Sequence, residues 1–372
     1  MSEDLKKTPL NAWHLAHGGR MVPFAGWEMP VRYDAGALEE HRMVRRSAGL
    51  FDIDHMGQIA VSGPDAEAFL NRLVTWDVST IAPGTSHYAL MCLPTGGVVD
   101  DVFVYRRANH WFVVVNASNR EKDLQWMLDH TAGFSVTVND VSDQTAMLAL
   151  QGPRALELLA GPVGSDLETV PRFGSLETSL WGIPTFLGRT GYTGEDGAEL
   201  FLPAEAAVDV WEGLLAAGIR SQIEVLPIGL AARNSLRFEP GFPLYGHEID
   251  AQTTPLEANL GWACRLEKDF IGRDALVKQK EAGLTKKLIG FELTEPGVPR
   301  QDCVVTDEGG RPVGKVVEGL YAPTADKYCG HAFVPPALAA VGTRLLIEIR
   351  DKPKAAVVIR RPFYQPSYKE RT

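Results

Sequence analysis

The segment 189–199, RTGYTGEDGAE, places glycines, an aromatic ring and acidic residues between two strand-like runs. Its glycines recur at every third residue, and glycine permits positive φ and close approach to the backbone. A hairpin needs only roughly two to five loop residues, so the extra length is typical of a loop that holds a ligand. Tyr192 offers a flat face and a hydroxyl group. Glu199 begins a buried strand, where a carboxylate must be paired or bind something. An ordinary decorated hairpin is the alternative interpretation.

Two adjacent aspartates, Asp100 and Asp101, lie inside the strand-like run GGVVDDVFVY. Alternate strand residues share a face, so Asp101 points with Phe103 and Tyr105, and Asp100 points the other way. Strands disfavour aspartate, and we therefore expect one carboxylate to meet solvent or a cap and Asp101 to belong to a site. The alternative is a strand-initiating aspartate paired to a local backbone N–H. Apolar surroundings would raise the pKa of Asp101, and hydrogen-bond donors would keep it ionised.

A third group of candidates lies in LPIGLAARNSLRFEPGFPLYGHEID, which predicts a helix over 226–239 ended by Pro-Gly. Arg233 and Arg237 are i,i+4 neighbours on one face of that helix. An arginine in such a position either pairs with a carboxylate or clamps an anionic ligand group. Trp262 is more typical of a core than of a ligand platform.

Charge and residue usage exclude several classes of function. The 372 residues carry a formal net charge of −10, whereas a nucleic-acid binder would show a basic stripe and a positive balance. The four cysteines show no CxxC spacing and the nine histidines no HExxH, so neither a metal site nor a disulfide framework is predicted. No nucleophile elbow and no phosphate-binding glycine loop is present.

The N-terminal sequence MSEDLKKTPL has no apolar signal region, and no apolar run approaches the roughly 20 residues that span a bilayer. We therefore expect neither secretion nor a membrane location. A cytoplasmic location is expected for a prokaryotic source, and the mitochondrial matrix for a eukaryotic one.

Short strands and amphipathic helices alternate over roughly the first 275 residues. The run AVSGPDAEAFLNRL, with a strand at 58–61 and a helix at 65–74, resembles ALQGPRALELLA, which follows a strand at 147–150. This pattern indicates a structural pseudo-repeat of a strand, a turn and a helix, with chance similarity as the alternative.

A hairpin is predicted over 96–116, followed by a helix to about His130 that opens with a capping box between Ser118 and Glu121. Strand, strand and helix in this order favour an α+β architecture with antiparallel sheets. Composition changes near Lys278, where KQKEAGLTKK predicts a linker or exposed edge. The short β-rich runs beyond it predict a small all-β barrel or sandwich.

Six motifs occur in a fixed order: FAGWEMPV, FDIDHMG, GGVVDD, RTGYTGEDG, ARNSLRFEPGFPLYGHEID and TTPLEANLGWA. Together they resemble the aminomethyltransferase (T-protein) family of the glycine cleavage system, over nearly the whole chain from Thr8 to Tyr364. The resemblance implies a three-lobed α+β fold. Two antiparallel-sheet α+β lobes within residues 1–277 would form a folate-binding region, and residues 286–372 a C-terminal β-barrel domain. Tetrahydrofolate would lie in the central opening.

The reaction implied by the resemblance begins with an aminomethyl group on the lipoyl arm of a carrier, the H-protein. Tetrahydrofolate displaces ammonia, giving 5,10-methylenetetrahydrofolate and the dihydrolipoyl arm, without a metal. One alternative is a tetrahydrofolate-dependent demethylase acting on a small methylated donor, such as dimethylsulfoniopropionate or a methylated amine. Another is a folate-binding protein without transferase activity, as in iron–sulfur maturation factors. Those factors carry a K-G-C-Y-x-G-Q motif, which this chain lacks.

The resemblance also implies roles for individual residues. Asp101 matches the aspartate that faces the reactive pterin nitrogen, Glu199 the glutamate that accepts hydrogen bonds from the pterin, and Arg233 an arginine that contacts the folate. Residues at positions where the family packs the pterin and aminobenzoyl rings are Met56, Tyr88, Tyr105, Val114, Tyr192 and Trp262.

Three departures from the family pattern are visible. Asn234 stands where aspartate usually follows the arginine, and Asp54 stands where serine is common. The segment 319–336, GLYAPTADKYCGHAFVPP, replaces a Ser-Pro-x-x-Lys-Lys-Asn-like run. We expect the fold and the folate site to tolerate all three changes and carrier docking to be the property affected.

Overall fold

A computed structural model describes residues 5–365. Its helices are α1 (Asn11–Ala16), α2 (Ala37–Arg46), α3 (Ala66–Leu73), α4 (Arg120–Asp129), α5 (Ala155–Val163), α6 (Ala207–Ser221), α7 (Leu230–Phe238) and α8 (Arg273–Ala282). The first strands are β1 (Arg20–Phe24), β2 (Trp27–Arg32), β3 (Ala48–Asp52), β4 (Gly57–Ser62), β5 (Thr85–Cys92), β6 (Val98–Arg106) and β7 (Trp111–Val115). They are followed by β8 (Thr137–Asp140), β9 (Thr145–Gln151), β10 (Ser175–Leu180), β11 (Ile183–Gly188), β12 (Gly197–Pro203) and β13 (Val225–Pro227). The last strands are β14 (Lys287–Leu293), β15 (Val304–Thr306), β16 (Pro312–Ala322), β17 (Lys327–Val334), β18 (Arg344–Ile349) and β19 (Lys352–Ile359).

The internal repeat predicted from the sequence is confirmed by the strand order of two sheets. The first lobe has the order β5-β6-β7-β4-β8, and the second has β10-β11-β12-β9-β3-β13. In each, a central strand leads through a Gly-Pro turn into a helix and then into a three-stranded meander. Gly63 and Gly152 occupy equivalent turns with positive φ. A Cβ there would lie 2.4 Å and 2.3 Å from backbone oxygens, so the shared glycine follows from a shared steric requirement.

Each sheet packs helices on one face and the other sheet on its opposite face. In β9, Leu148 and Leu150 join the core beneath α5 and α6, whereas Met147 and Ala149 join a cluster between the lobes. The same alternation in the first lobe sends Val104 of β6 into the core beneath α3 and α4. We call the cluster between the sheets the interlobe layer; its buried members include Phe51, Ile53, Tyr105, Phe112, Val114, Phe186 and Phe201.

Two helix boundaries differ from the sequence prediction. The helix expected from residue 226 begins only at Leu230, because Val225–Pro227 forms a strand that pairs in parallel with Ala48–Leu50. Proline disfavours the helical conformation for the residue before it. The capping box at Ser118 is also wrong, because α4 begins after Asn119 and has no side-chain cap. The Asn119 amide instead donates to Asp100 at 2.7 Å.

The C-terminal strands close into a barrel in the order β14-β17-β16-β15-β18-β19, which settles the choice between barrel and sandwich. The stretch 278–287, predicted to be a linker or exposed edge, is mostly exposed, but it starts inside α8 and only residues 283–286 connect that helix to β14. The β16–β17 hairpin contacts α7 of the preceding region: Arg237 pairs with Glu318 at 2.5 Å, and the Thr324 N–H donates to Glu239 at 2.6 Å. Within residues 5–365, no helix is long and apolar enough to cross a membrane.

Candidate functional site

Asp101 lies on the β6 face that looks toward the second lobe. It shares that face with Phe103 and Tyr105, whose rings are 5.5 Å apart, so the predicted alternation is confirmed. The residue is partly exposed, and its carboxylate accepts a hydrogen bond from the Asn116 side chain at 2.7 Å. Burial and the neighbouring Asp100 charge raise the pKa of Asp101 to about 7. A carboxyl group with this pKa can exchange a proton near neutral pH.

Asp100, on the opposite face, is completely buried. Of the two predicted outcomes, solvent or a cap, the second applies to Asp100. Asp100 accepts hydrogen bonds from the Asn116 backbone N–H at 3.0 Å and from the side chains of Asn116 and Asn119 at 2.9 Å and 2.7 Å. The alternative of a strand aspartate paired to a local backbone N–H describes Asp100, and Asp101 is left as the aspartate that a ligand can reach.

Glu199 lies on β12 of the second lobe and faces the same interlobe layer, because it alternates with the core residues Ala198 and Leu200. One of its oxygens accepts hydrogen bonds from the Thr190 hydroxyl at 2.5 Å and the Tyr105 hydroxyl at 3.1 Å. Burial raises the pKa of Glu199, and these hydroxyl donors oppose the rise. Tyr105 thus connects the strand of Asp101 directly to Glu199.

The glycine-rich loop is attached to the C-terminal end of β9 through Gln151, and it presents Tyr192. The Gln151 side chain donates to the Thr190 carbonyl and accepts from the Thr193 hydroxyl, both at 2.9 Å. A Cβ on Gly191 would lie 1.9 Å from the Gln151 side chain, so this glycine permits internal packing. The Tyr192 hydroxyl donates to the Pro243 carbonyl. The loop therefore holds an aromatic ring at a fixed position.

The two arginines of α7 differ in their partners, and the predicted pairing with a carboxylate applies to Arg237. Arg237 is buried and pairs with Glu248 at 3.0 Å and Glu318 at 2.5 Å. The Arg233 guanidinium lies 4.5 Å from the centre of the Tyr192 ring and forms no hydrogen bond or ion pair with the residues the structure describes. Burial lowers the pKa of Arg233, and the nearby Tyr192 and Glu199 oppose this. Its donors are available to a ligand.

Arg233 and Glu199 face a common small cavity between the second-lobe sheet, the glycine-rich loop and α7. The cavity is lined by Phe51, Ile53, Ala149, Gln151, Tyr192, Thr193, Glu199 and Arg233. It therefore brings together a carboxylate, a guanidinium and a tyrosine ring beside apolar side chains, the kinds of group that recognise a flat heterocycle with hydrogen-bond donors and acceptors.

Tyr88 and Trp262 form an aromatic pair on the Asp101 side. Their rings stack with centroids 5.5 Å apart and an interplanar angle of 26°. The expectation that Trp262 belongs to a core is wrong, because 58% of the residue is exposed and only its neighbour Ala263 is buried. Within the described part of the chain, the buried Tyr88 hydroxyl has no partner of good hydrogen-bond geometry. Burial and the adjacent Asp101 nevertheless raise the pKa of Tyr88, which places the two groups close together.

Met56 and Val114 belong to the interlobe layer with Tyr105. Val114 is buried and pairs with Phe103 across β6 and β7, whereas Met56 is partly exposed. The residues named from the sequence therefore fall into two groups around this layer. The cavity group contains Tyr192, Glu199 and Arg233, and the first-lobe group contains Met56, Tyr88, Asp101, Tyr105, Val114 and Trp262.

Several polar residues at the site were not singled out in the sequence. Asn116 and Asn119 donate hydrogen bonds to the two aspartates, and the Thr190 hydroxyl donates one to Glu199. His55 is buried, and its Nδ1 has no hydrogen-bond partner among residues 5–365. Burial, with Arg233 nearby, lowers the pKa of His55 to about 4. The N-x-x-N spacing directly after β7 was a usable signal, because two amides three residues apart at a strand end can reach one carboxylate.

All three departures from the family pattern form hydrogen bonds within the protein. Asn234 accepts a hydrogen bond from Arg237 at 2.9 Å. Asp54 accepts one from the Met147 N–H at 2.9 Å, and burial raises its pKa to about 8. In the segment 319–336, the Thr324 hydroxyl meets His41 at 2.9 Å and Arg45 at 3.1 Å. Among residues 5–365, no cluster of three or more His, Cys, Asp or Glu side chains could hold a metal ion.

Comparison with known proteins agrees with this geometry. The profile of the GCVT N-terminal domain matches residues 10–268, and that of the glycine cleavage T-protein C-terminal barrel domain matches residues 286–365. The chain belongs to the glycine cleavage T-protein family. Curated T-protein relatives include the aminomethyltransferase of Herpetosiphon aurantiacus, 45% identical over 98% of this chain and 100% of that protein. The aminomethyltransferase of Symbiobacterium thermophilum is 47% identical over 99% and 100% of the two chains.

A solved T-protein structure shows the same fold. The crystal structure of glycine cleavage system aminomethyltransferase T from Bartonella henselae superposes with a TM-score of 0.91 at 34% identity. The match covers 98% of this chain and 99% of that one. The three-lobed T-protein architecture, with two α+β lobes and a C-terminal barrel, is therefore confirmed.

Proposed function

We propose that this T-protein is the aminomethyltransferase of the glycine cleavage system, with tetrahydrofolate as the acceptor of the one-carbon unit. The observation that carries the proposal is the placement of Asp101 and Glu199 on facing sheets, joined through Tyr105. A flat ring held between these sheets meets a carboxylate at each side. The match to curated aminomethyltransferases over the whole chain supports this function ahead of a demethylase.

Glu199 and Arg233 are proposed to bind the pterin and adjoining folate groups. Only one Glu199 oxygen is engaged by the hydroxyls of Thr190 and Tyr105, which leaves the other to accept from ring N–H groups. Arg233 lines the same cavity and supplies donors that have no partner among residues 5–365. Tyr192 backs Arg233, and a cation held over an aromatic ring keeps a fixed position. The rings and side chains proposed to pack against the folate are Met56, Tyr88, Tyr105, Val114, Tyr192 and Trp262.

Asp101 is proposed to act at the reactive pterin nitrogen, N5. In the transfer the methylene carbon forms bonds to N5 and N10, while its bonds to the lipoyl sulfur and to the amine break. Two hydrogens leave the folate nitrogens and complete the thiol and ammonia. Positive charge develops at N5 during this exchange, and a carboxylate already fixed by Asn116 stabilises it without reorganising. Asp101 thereby positions the nitrogen and does not attack the carbon.

The proposed donor is the lipoylated H-protein, whose arm would enter on the open side where Trp262 is exposed. The altered 319–336 segment is proposed to affect how that carrier is met. We also propose a division at residues 1–277 and 286–372, of which 1–4 and 366–372 lie outside the described residues. The proposed location is the cytoplasm, or the mitochondrial matrix in a eukaryote, with no nucleic-acid or membrane partner.

The test mixes the purified protein with tetrahydrofolate and aminomethylated H-protein and follows ammonia and methylenetetrahydrofolate. Both products should form together, and Asp101→Asn should abolish most of the turnover. Asp274→Asn, an exposed aspartate on α8, serves as the matched control. Transfer from a small methylated donor but not from the H-protein would support the demethylase alternative. Folate binding without any turnover would refute the transferase.

A further inference from the structure

Behind Asp101 lies a third carboxyl group, Asp123, which no role assigned above uses. It lies on α4, is completely buried, and neither of its oxygens has a hydrogen-bond partner of good geometry among the described residues. A buried carboxylate without donors is strongly disfavoured, and such a group takes up a proton instead. Burial, followed by the charge of Asp100, raises the pKa of Asp123 to about 11.

Asp100 has the opposite surroundings, because three donors converge on it from Asn116 and Asn119. Hydrogen bonds of this kind favour the charged form of a carboxyl group. A protonated Asp123 beside it supplies a further donor, so the two acids are complementary only when one carries the proton. Two carboxyl groups that face each other are known to share a single proton between them.

Asn116 connects this pair to the site. Its side-chain amide donates to Asp100 at 2.9 Å and to Asp101 at 2.7 Å. We propose that Asp123 is a neutral acid that donates its proton to a hydrogen bond with Asp100, and that the Asp100 anion so held sets the proton affinity of Asp101. Asp123 and Asp100 are positioning residues, because neither reaches the interlobe layer.

Other titratable groups surround these acids. Lys122 lies 3.9 Å from Asp123, but its ammonium donates to the Val99 carbonyl and its side chain is 42% exposed, so it does not neutralise the buried acid. The groups that face the three aspartates from neighbouring elements are Tyr88 on β5, Lys122 on α4, Tyr192 in the glycine-rich loop and Tyr245 after α7.

The effect on rate rests on the proposed function of Asp101, but the protonation states are measurable without turnover. The experiment labels aspartate carboxyl carbons of the full chain with ¹³C and follows their NMR shifts between about pH 5 and pH 9. Asp123→Asn, Asp101→Asn and Asp100→Asn identify the signals by their loss. The signal of Asp123 should stay at the position of a protonated acid throughout. A carboxylate shift over the whole range would overturn the proposal.

The same spectra test the coupling to Asp101. Its signal should titrate near pH 7 in the wild type and at least about one pH unit lower in Asp100→Asn, because a like charge is removed. An unmoved titration would overturn the coupling. The acidic limb of the pH–rate profile should move with the signal. A moved signal without any aminomethyl transfer refutes the proposed function alone, and turnover with an unmoved signal refutes the proton network alone.

A stability measurement covers the case in which Asp100→Asn does not fold. A group whose folded pKa is raised contributes stability that is complete below its unfolded pKa and is lost as pH rises toward the folded value. Asp123→Asn has no such proton. Its melting temperature should therefore rise steadily relative to that of the wild type from about pH 5 to pH 9. The control Asp274→Asn should keep a constant difference. A constant difference for Asp123→Asn as well would overturn the assignment of a neutral acid.

Discussion

The first lobe holds its site carboxylate beside a second negative charge. The second lobe holds its own beside hydroxyl groups and a guanidinium that has no ion pair among the described residues. Asp101 has Asp100 as its chain neighbour and one amide donor, and its pKa is raised to about 7. Glu199 has two hydroxyl donors, with Arg233 across the cavity. The two lobes share a strand order, so the difference arises from side chains and not from topology.

The contrast indicates that the two carboxylates have separate roles, one in the rate of transfer and one in folate binding. A carboxylate gripped by neutral donors is a binding group, because its charge is stabilised before a ligand arrives. A carboxylate beside a like charge is stabilised most strongly when positive charge develops nearby, and this charge develops in the transition state. We therefore expect changes in the first lobe to lower the rate of transfer and changes in the second lobe to weaken folate binding.

The largest effect is expected for Asp101→Asn, the direct test of the first-lobe role. Removal of one preorganised charge-stabilising group typically lowers kcat by about 100- to 1,000-fold. Folate affinity should change only a few-fold, since the cavity group is untouched. Steady-state kinetics and folate titration separate the two quantities. An Asp101→Asn enzyme with the wild-type kcat would remove this residue from the mechanism.

The two arginines of α7 give the next largest effect and the sharpest internal control. Arg237→Ala breaks a buried network with Glu248 and Glu318, which should lower the free energy of unfolding by about 3–5 kcal/mol. Arg233→Ala removes no ion pair within the described residues and should weaken folate binding with little loss of stability. Denaturant unfolding and folate titration of both variants check this. Wild-type folate affinity in Arg233→Ala would defeat the assignment of a ligand clamp.

Glu199→Gln should weaken folate binding by roughly 10-fold while kcat at saturating folate stays within a few-fold. The estimate corresponds to about 1.5 kcal/mol, the usual contribution of a hydrogen bond to a charged acceptor. Glu205→Gln, an exposed glutamate just after β12, is the matched control. A fall in kcat without a change in folate affinity would reverse the division between the lobes.

The pH dependence should be the smallest but most diagnostic effect. Because Asp101 acts as a carboxylate and its pKa is raised to about 7, kcat/KM should rise as pH increases through that value. At one unit below it, about a tenth of the maximal rate should remain. Glu199→Gln should leave the midpoint of this limb in place. A profile flat between about pH 5 and pH 8 would contradict the elevated pKa.

Local patterns in the sequence correctly predicted the elements whose residues alternate or recur. The faces of β6 followed from strand geometry, and the repeat followed from two Gly-Pro turns with the same steric demand. Residue types and spacing identified the cavity residues Tyr192, Glu199 and Arg233, and the family motifs suggested their roles, which remain proposals. The closed barrel was one of two predicted all-β forms.

Long-range contacts explain what the sequence could not predict. Ser118 looked like a helix cap, but the buried Asp100 recruits Asn119 and α4 starts without one. Trp262 looked like a core residue, yet its turn faces outward and it stacks on Tyr88. Nothing local marks Asp123, since its burial depends on the packing of α4 against β6. Such features depend on which distant segments meet, and a residue pattern does not encode that.

The most direct test of the division between lobes is a single-turnover experiment on Asp101→Asn and Glu199→Gln with aminomethylated H-protein. Folate concentration is varied in excess over enzyme, so the limiting rate and the half-saturation concentration are read from one data set. For Asp101→Asn we predict a limiting rate at least about 100-fold lower, with a nearly unchanged half-saturation concentration for folate. For Glu199→Gln we predict a higher half-saturation concentration with a nearly unchanged limiting rate. If both variants change the same parameter, the two carboxylates do not have separate roles.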